Sequence, residues 1–198
     1  MEKVLIGAGG FAREIMAHMG DYLMKCFVDD EYWKENDENI FPLSKFDHLK
    51  YEALIAIGNP KVRYEMVNRL SKDTKYFTFI HNSVQILGND VQIGDGSIVC
   101  AGSIITTNVT IGKHSHINLQ TTIGHDCKIG EYFTTAPGAK ISGNCKINDC
   151  VYIGTNASVK EKISIHSFST IGMNACVVKN IDQPGVYVGT PVKLINEK

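Results

Sequence analysis

From Ile93 to Val177 every sixth residue is aliphatic, with a single exception. The series runs Ile93, Val99, Ile105, Ile111, Ile117, Ile123, Ile129, Thr135, Ile141, Ile147, Ile153, Val159, Ile165, Ile171 and Val177, and Leu87 extends it backwards by one step. Four places after each member the residue is usually small: Ser97, Ser103, Ser115, Thr121, Cys127, Ala139, Cys145, Ala157, Ser169 and Ala175. Glycine directly follows the aliphatic residue at 94, 112, 124, 130, 154 and 172. Neither the 3.6-residue turn of an α-helix nor the two-residue alternation of a strand gives a period of six. A parallel β-helix with three short faces per coil does, with the aliphatic residue pointing inward and the small one filling the tighter space near the corner. Three hexads close a coil, so the pattern predicts about five coils, stacked at the ~4.7–4.9 Å strand spacing. A solenoid of this kind buries its core by stacking. The alternative, an Ile-rich β-sandwich, gives no reason for one register to persist over so many steps.

The first part of the chain follows a different pattern. "KVLIGAGG" reads as a buried strand running into a glycine turn, and "FAREIMAHMGDYL" as a helix with Ile15, Met16 and Met19 near helical spacing. "KCFVDDE" and "EALIAIGNP" read as strands, and "KVRYEMVNRL" as a helix with Val62, Met66, Val67 and Leu70 on one side. Strand–helix–strand followed by strand–helix predicts a small Rossmann-like α/β unit over residues 1–78. "FTFIHNSVQI" bridges into an all-β parallel β-helix over 79–198.

Bulk properties exclude several functions. The chain has 198 residues, 43% hydrophobic and 21% charged, with a net charge of −1. That balance gives no basis for a nucleic-acid or anionic-membrane partner. No run approaches the ~18 apolar residues of a spanning helix, and the N-terminal "MEKVLIGAGG" does not read as a signal peptide. The six cysteines show no C-x-x-C spacing and no paired-His pattern, which argues against zinc. Cys127 and Cys145 fall one coil apart in the same inward column, as reduced core thiols, and a cytoplasmic location is the simplest account.

"GAGGFA" fits G-x-G-x-x-G/A through Gly7, Gly9 and Ala12, with Asp29 and Asp30 further on. A whole dinucleotide domain needs two such halves; one half holds one nucleotide, with phosphate at the glycine turn and helix N-terminus. A tight structural turn is the plainer reading of the same glycines.

The strict [Ile/Val]-Gly-x-x-x-x hexads, together with "VLIGAGGFARE", "FVDD" and "AIGNPKVR", resemble the left-handed β-helix (hexapeptide-repeat) sugar acetyltransferases of the PglD/NeuD-like family. The resemblance spans essentially the whole chain. It implies a homotrimer, acetyl-CoA as co-substrate without a metal, and transfer of acetyl to a nucleotide-linked amino sugar in bacterial glycan biosynthesis. O-acetylation of sialic acid is the second reading, and a non-catalytic sugar-nucleotide-binding β-helix the third.

Within that resemblance "GHDC" supplies His125 as general base and Asp126 as its supporting acid, where the family commonly has Glu. The column through His125 reads Thr107, His125, Gly143, Glu161, Lys179, so the neighbour one coil on has no side chain to crowd the imidazole. The resemblance further implies that the Gly143 amide contacts the thioester carbonyl and that Asn118 lies near the acceptor. Gly9, Gly10, Asp29 and Asp30 would hold the nucleotide, and Gly172, Lys179 and Lys193 would lie around CoA. Thr134 stands where some relatives have a histidine on the donor side. His114, His116 and His166 share the expectation of exposure with His125. Cys127 points inward, which argues against a covalent acetyl-cysteine and for direct transfer.

Overall fold

The computed structural model describes residues 1–35 and 38–197. Its N-terminal part holds β1 (Glu2–Ile6), α1 (Gly10–Met19), β2 (Cys26–Val28), β3 (Ile40–Pro42), β4 (Tyr51–Ile55), α2 (Pro60–Arg69) and β5 (Lys75–Tyr76). The strands form one sheet in the order β3-β2-β1-β4-β5, with every pairing parallel. Val4, Leu5 and Ile6 of β1 and Ala53, Leu54 and Ile55 of β4 are all fully buried, the continuous apolar run of a sheet covered on both faces. On one side Leu5 and Leu54 meet Ala12 and Ile15 of α1; on the other Val4, Ile6, Ala53 and Ile55 meet Met66 of α2.

The helices depart from their sequence reading in two places. α1 ends at Met19, short of the expected Leu23, because Gly20 adopts φ 70° and caps the C-terminus. In α2, Asn59 caps the N-terminus by accepting from Lys61 and Val62, but Val62 is 44% exposed while Arg63 is fully buried. Helical periodicity marks an apolar side and cannot foresee that an arginine faces the neighbouring unit.

The rest of the chain coils into a three-sided parallel prism of two-residue strands. The first face stacks Phe79–Ile80, Ile98–Val99, His116–Ile117, Thr134–Thr135, Tyr152–Ile153 and Thr170–Ile171. It is closed by the strand Gly185–Val188 and its antiparallel partner Lys193–Glu197. The second face runs from Gln85–Ile86 through Thr122–Ile123 to Cys176–Val177, and the third from Gln92–Ile93 through Lys128–Ile129 to Ser164–Ile165. The expected inward columns are filled as read: Ile105, Ile117, Ile123, Ile153, Ile165 and Ile171 are 0% exposed, as are Ser97, Ser103, Ser115, Thr121, Cys127, Ala139, Ala157 and Ser169. One register step fails. Ile86, not Leu87, pairs with Ile105, and Leu87 is 62% exposed, because the first coil carries one extra residue between its second and third faces.

The exception in the aliphatic column has a structural reason. Thr135 Oγ1 accepts from the Asn118 N–H at 2.9 Å and bonds Thr121 Oγ1 at 2.9 Å, so its hydroxyl is satisfied inside the coil.

Each corner is turned in the same way. At every sixth residue from Gly96 to Asn174 the backbone is left-handed, with φ between 53° and 76°, although only Gly96, Gly102 and Gly138 of these are glycine. Asn108, Asp126, Asn144, Asn156 and Asn174 suit that conformation best among side-chain-bearing residues.

The N-terminal unit packs on the first face. Ile98 and Cys100 join the cluster of Leu5, Ala12, Ile15 and Leu54, and Phe11 lies 5.1 Å from the His116 ring. The joint is built around Arg63. Its guanidinium donates to the carbonyls of Ile57 (2.6 Å), His114 (2.8 Å), Tyr132 (3.0 Å) and Phe133 (3.1 Å), and to Thr134 Oγ1 (2.7 Å). No carboxylate pairs with it among the described residues, and burial lowers its pKa to about 9. No described helix is long and apolar enough to cross a membrane.

Candidate active site

His125 and Asp126 sit in the turn between Thr122–Ile123 of the second face and Lys128–Ile129 of the third. Asp126 takes the left-handed position of that corner, φ 61°. This orientation brings its Oδ2 to 2.6 Å from His125 Nδ1, while Asn108, one coil earlier, donates to Asp126 Oδ1 at 2.6 Å. These two bonds, the one from His125 first, hold the Asp126 carboxyl below its usual range. An ionised carboxylate only accepts, so Nδ1 must carry the proton and Nε2 keeps the lone pair of a base. The His125 side chain is 60% exposed and that of Asp126 42%, so solvent and substrate reach both.

Gly143 occupies the same corner one coil on. A β-carbon there would stand 2.6 Å from His125 Nε2 and 2.7 Å from Cε1, so the imidazole lies flush against bare backbone. The Gly143 carbonyl accepts from Lys162 N at 3.0 Å, and its N–H has no acceptor among the described residues. An exposed base and, beneath it, the unpaired N–H of buried Gly143 are the two kinds of group an acyl transfer requires.

The other histidines separate cleanly from His125. His114 and His116 were expected at the surface but are 4% and 1% exposed, because the N-terminal unit covers them. Burial first, then the Arg63 charge, lowers His114 to about 4 and His116 well below its ordinary value. His166 is exposed, with Nδ1 2.9 Å from the Ser167 carbonyl oxygen. Thr134 lies under α2, bonded to Arg63 and to the Gly58 carbonyl, on the face away from the His125 corner.

The structure does not bring all the expected residues together. Asn118 and Gly172 lie at the corner between the first and second faces, not at that of His125. Asn118 Oδ1 accepts from Leu119 N at 2.7 Å. The Gly172 N–H bonds the Tyr187 carbonyl at 2.8 Å, and a β-carbon there would stand 2.8 Å from Val188 Cγ1, so its smallness serves the closing strand. Lys179 shares the His125 corner three coils on and is exposed; Lys193 lies in the closing hairpin, paired with Val188.

In the N-terminal unit a cavity of about 410 Å³ is bounded by Gly7, Ala8 and Gly9 of the glycine turn, Asp29 at the end of β2, and Ile57, Val62 and Met66. Gly7 has φ +107° and a β-carbon there would meet the Ala56 carbonyl at 3.0 Å, so only glycine fits; Gly9 faces open space. Gly10 opens α1 but does not line the cavity. Asp29 accepts from Arg69 Nη1 at 3.0 Å and is also paired with Nη2. Asp30 lies in the neighbouring groove, where the Ser44 N–H at 3.0 Å holds its carboxyl below the usual range. A second cleft, about 1050 Å³, continues from Gly58–Lys61 to Tyr152, Phe168 and Thr170 on the coil. Asn108 and Arg63 were not anticipated from sequence. The signal for Asn108 was its place eighteen residues before Asp126; Arg63 closes "AIGNPKVR", but nothing in that stretch marks it as buried.

Residues 4–70 match the PglD N-terminal domain family. The chain is 30% identical over 147 residues to GDP-perosamine N-acetyltransferase of Escherichia coli O157:H7, an alignment covering 68% of this chain and 66% of that protein, just under two thirds. WeeI from Acinetobacter baumannii AYE is 32% identical, with 98% of this chain and 100% of that one covered at a TM-score of 0.86. PerB from Caulobacter crescentus, solved with CoA and GDP-perosamine, shares the fold at a TM-score of 0.87, with 22% identity and 99% and 98% coverage. The glycine-turn unit and the hexad coil, each with its own relatives and joined in one order across the whole chain, place the protein in the PglD/NeuD-like family of left-handed β-helix sugar acetyltransferases.

Proposed function

We propose that this chain transfers the acetyl group of acetyl-CoA to the amine of a nucleotide-linked amino sugar, with His125 as general base. The observation that carries the reading is the His125–Asp126–Asn108 chain of short hydrogen bonds set against bare Gly143. The sugar amine attacks the thioester carbonyl carbon and gives up a proton to His125 Nε2. The Gly143 N–H donates to the oxyanion that develops. As the C–S bond breaks, the CoA thiolate leaves and takes a proton from the imidazolium. Asp126 keeps the ring in the Nδ1–H tautomer and faces the positive charge while it lasts. Cys127 is fully buried, with Sγ donating to the Ser142 carbonyl, so direct transfer without an acetyl-enzyme fits the site.

Residues 1–78 would hold the acceptor and residues 79–198 would carry out transfer. The cavity at Gly9 and Asp29 suits the nucleoside and phosphates, with the glycine turn and α1 N-terminus facing the negative charge. Gly10, Asp30 and Asn118 stand outside this minimal set. Lys179, on the His125 corner, suits CoA phosphate as a point charge.

The triangular section of the coil bears on the assembly. The N-terminal unit sits on the first face, and His125 lies on the corner opposite that face, across the width of the prism. This placement supports a site shared between copies, one supplying the acceptor cavity and its neighbour the base. A cyclic homotrimer closes such a heterologous contact. A cytoplasmic location fits the reduced thiols and both substrates.

The test is CoA thiol release from acetyl-CoA with UDP-, GDP- and dTDP-linked 4-amino sugars beside free sialic acid. Turnover of an amino-sugar nucleotide that falls by ~10² or more in His125→Ala supports the reading. Turnover of sialic acid alone, or activity that survives the substitution, overturns it.

A further inference from the structure

Glu14 and His18 stand one turn apart on α1, so their side chains share a face of the helix. That face packs on the coil beside Cys100, which is fully buried directly after inward Val99. One donor atom from each of the three residues lies within 4.8 Å of the other two, and His18 Nε2 is 3.8 Å from Glu14 Oε1. Two features are poorly explained by packing alone. Glu14 Oε1 is shielded from solvent yet has no hydrogen-bond partner among the described residues, a costly state for a carboxylate oxygen. The Cys100 thiol has no acceptor among the described residues either, whereas Cys127 and Cys145 donate to the Ser142 and Lys160 carbonyls. The His18 ring is also held edge-on by His81, with centroids 5.0 Å apart.

We infer that Glu14, His18 and Cys100 form a binding site for one divalent ion of the zinc class, which clamps α1 to the coil. A thiolate, an imidazole and a carboxylate are the donor set of a borderline-soft ion, and hard ions such as Mg²⁺ or Ca²⁺ do not select sulfur. Tetrahedral ligation at about 2.0–2.3 Å puts donors roughly 3.3–3.8 Å apart. The cluster therefore closes by about 1 Å, through χ rotations of His18 and Glu14, whose side chains are 19% and 39% exposed. Cys100 gives its proton to solvent, and its thiolate together with the Glu14 carboxylate neutralises the ion. A water would complete a four-coordinate set. The ion takes no part in acetyl transfer. Its effect is mechanical: the glycine turn beside the nucleotide cavity runs directly into α1, whose later turns bear the ligands. The site was invisible to a search for metal spacing because its sulfur comes from the coil, far along the chain from the helix.

The test uses the full chain stripped with a chelator and titrated with Zn²⁺ or Co²⁺ alone. One ion per chain is expected, with a thiolate-to-Co²⁺ charge-transfer band. At an ion concentration ~100-fold above Kd, Tm should rise by about 5–10 °C. Both signals should vanish in Cys100→Ser and in His18→Ala, the latter partly exposed and expected to fold. The inference is overturned by no stoichiometric binding, by Co²⁺ spectra without a sulfur band, or by binding in the two variants as tight as in the native chain. None of these outcomes depends on the acetyl-transfer reading.

Discussion

Gly143 lies one coil beyond His125, and the space its missing β-carbon would fill is the space the imidazole occupies, with Nε2 2.6 Å from that point. The φ of Gly143 is outside the left-handed range, so backbone strain does not require glycine there; the ring does. Gly143→Ala should leave Tm within about 1 °C, because an exposed His125 can swing aside. It should lower kcat by roughly 10², the usual worth of a positioned base. Steady-state kinetics beside thermal melts check both halves. A full-rate alanine variant would remove Gly143 from the site.

Asp126 and Asn108 should form a graded series behind His125. Loss of a buried orienting carboxylate costs ~10⁴ in the serine-protease template. Asp126 is 42% exposed, where water replaces part of its effect, so Asp126→Asn should cost about 10- to 100-fold in kcat. Asn108→Ala should cost less again. KM for acetyl-CoA should hold in both, and the double variant should fall short of the product of the two losses, since both act through one imidazole.

Arg63 should prove more important to stability than any residue of the catalytic corner. Arg63→Met leaves the carbonyls of His114 and Tyr132 without their buried donor, while that of Phe133 keeps the His116 N–H at 2.7 Å. A loss of about 2–6 kcal/mol is expected, at about 1–3 kcal/mol for each buried carbonyl left unpaired, read from the urea midpoint.

Acid should loosen the same joint. The folded His114 and His116 bind protons less readily than the unfolded chain does, so between the ordinary histidine value and about 4 the unfolded state holds more protons. Stability is therefore fully present above pH ~6.5 and falls as pH drops toward 4. For His114 the linked loss is on the order of 3 kcal/mol. His114→Phe, which keeps the ring stack on Tyr132 (centroids 5.3 Å), should flatten the slope of Tm against pH across that window.

Thr135→Val would restore the aliphatic column and should still destabilise. It removes the acceptor of the part-buried Asn118 N–H, a cost of about 1 kcal/mol set against a small gain in apolar burial. Denaturant unfolding decides the sign.

The hexad column alone determined the coil, its three faces and its inward residues, because a period of six repeated so often admits one backbone path. It also placed His125 beside Gly143, since stacking turns a separation of eighteen residues into contact. The glycine turn and Pro60 marked the helix starts through local backbone preferences, whereas Gly20 ended α1 before the Leu23 expected from sequence. What sequence could not set was everything decided between units. His114 and His116 lost their expected exposure, and Arg63 became a buried cation, because the N-terminal unit docks on the first face, and docking depends on side chains far apart in the chain. The Leu87 register failed for a smaller reason of the same kind: pairing with Ile105, not spacing from Ile93, fixes which residue points inward. Spacing repeats along the chain, so sequence reads it; pairing across the chain is settled only when the surfaces meet.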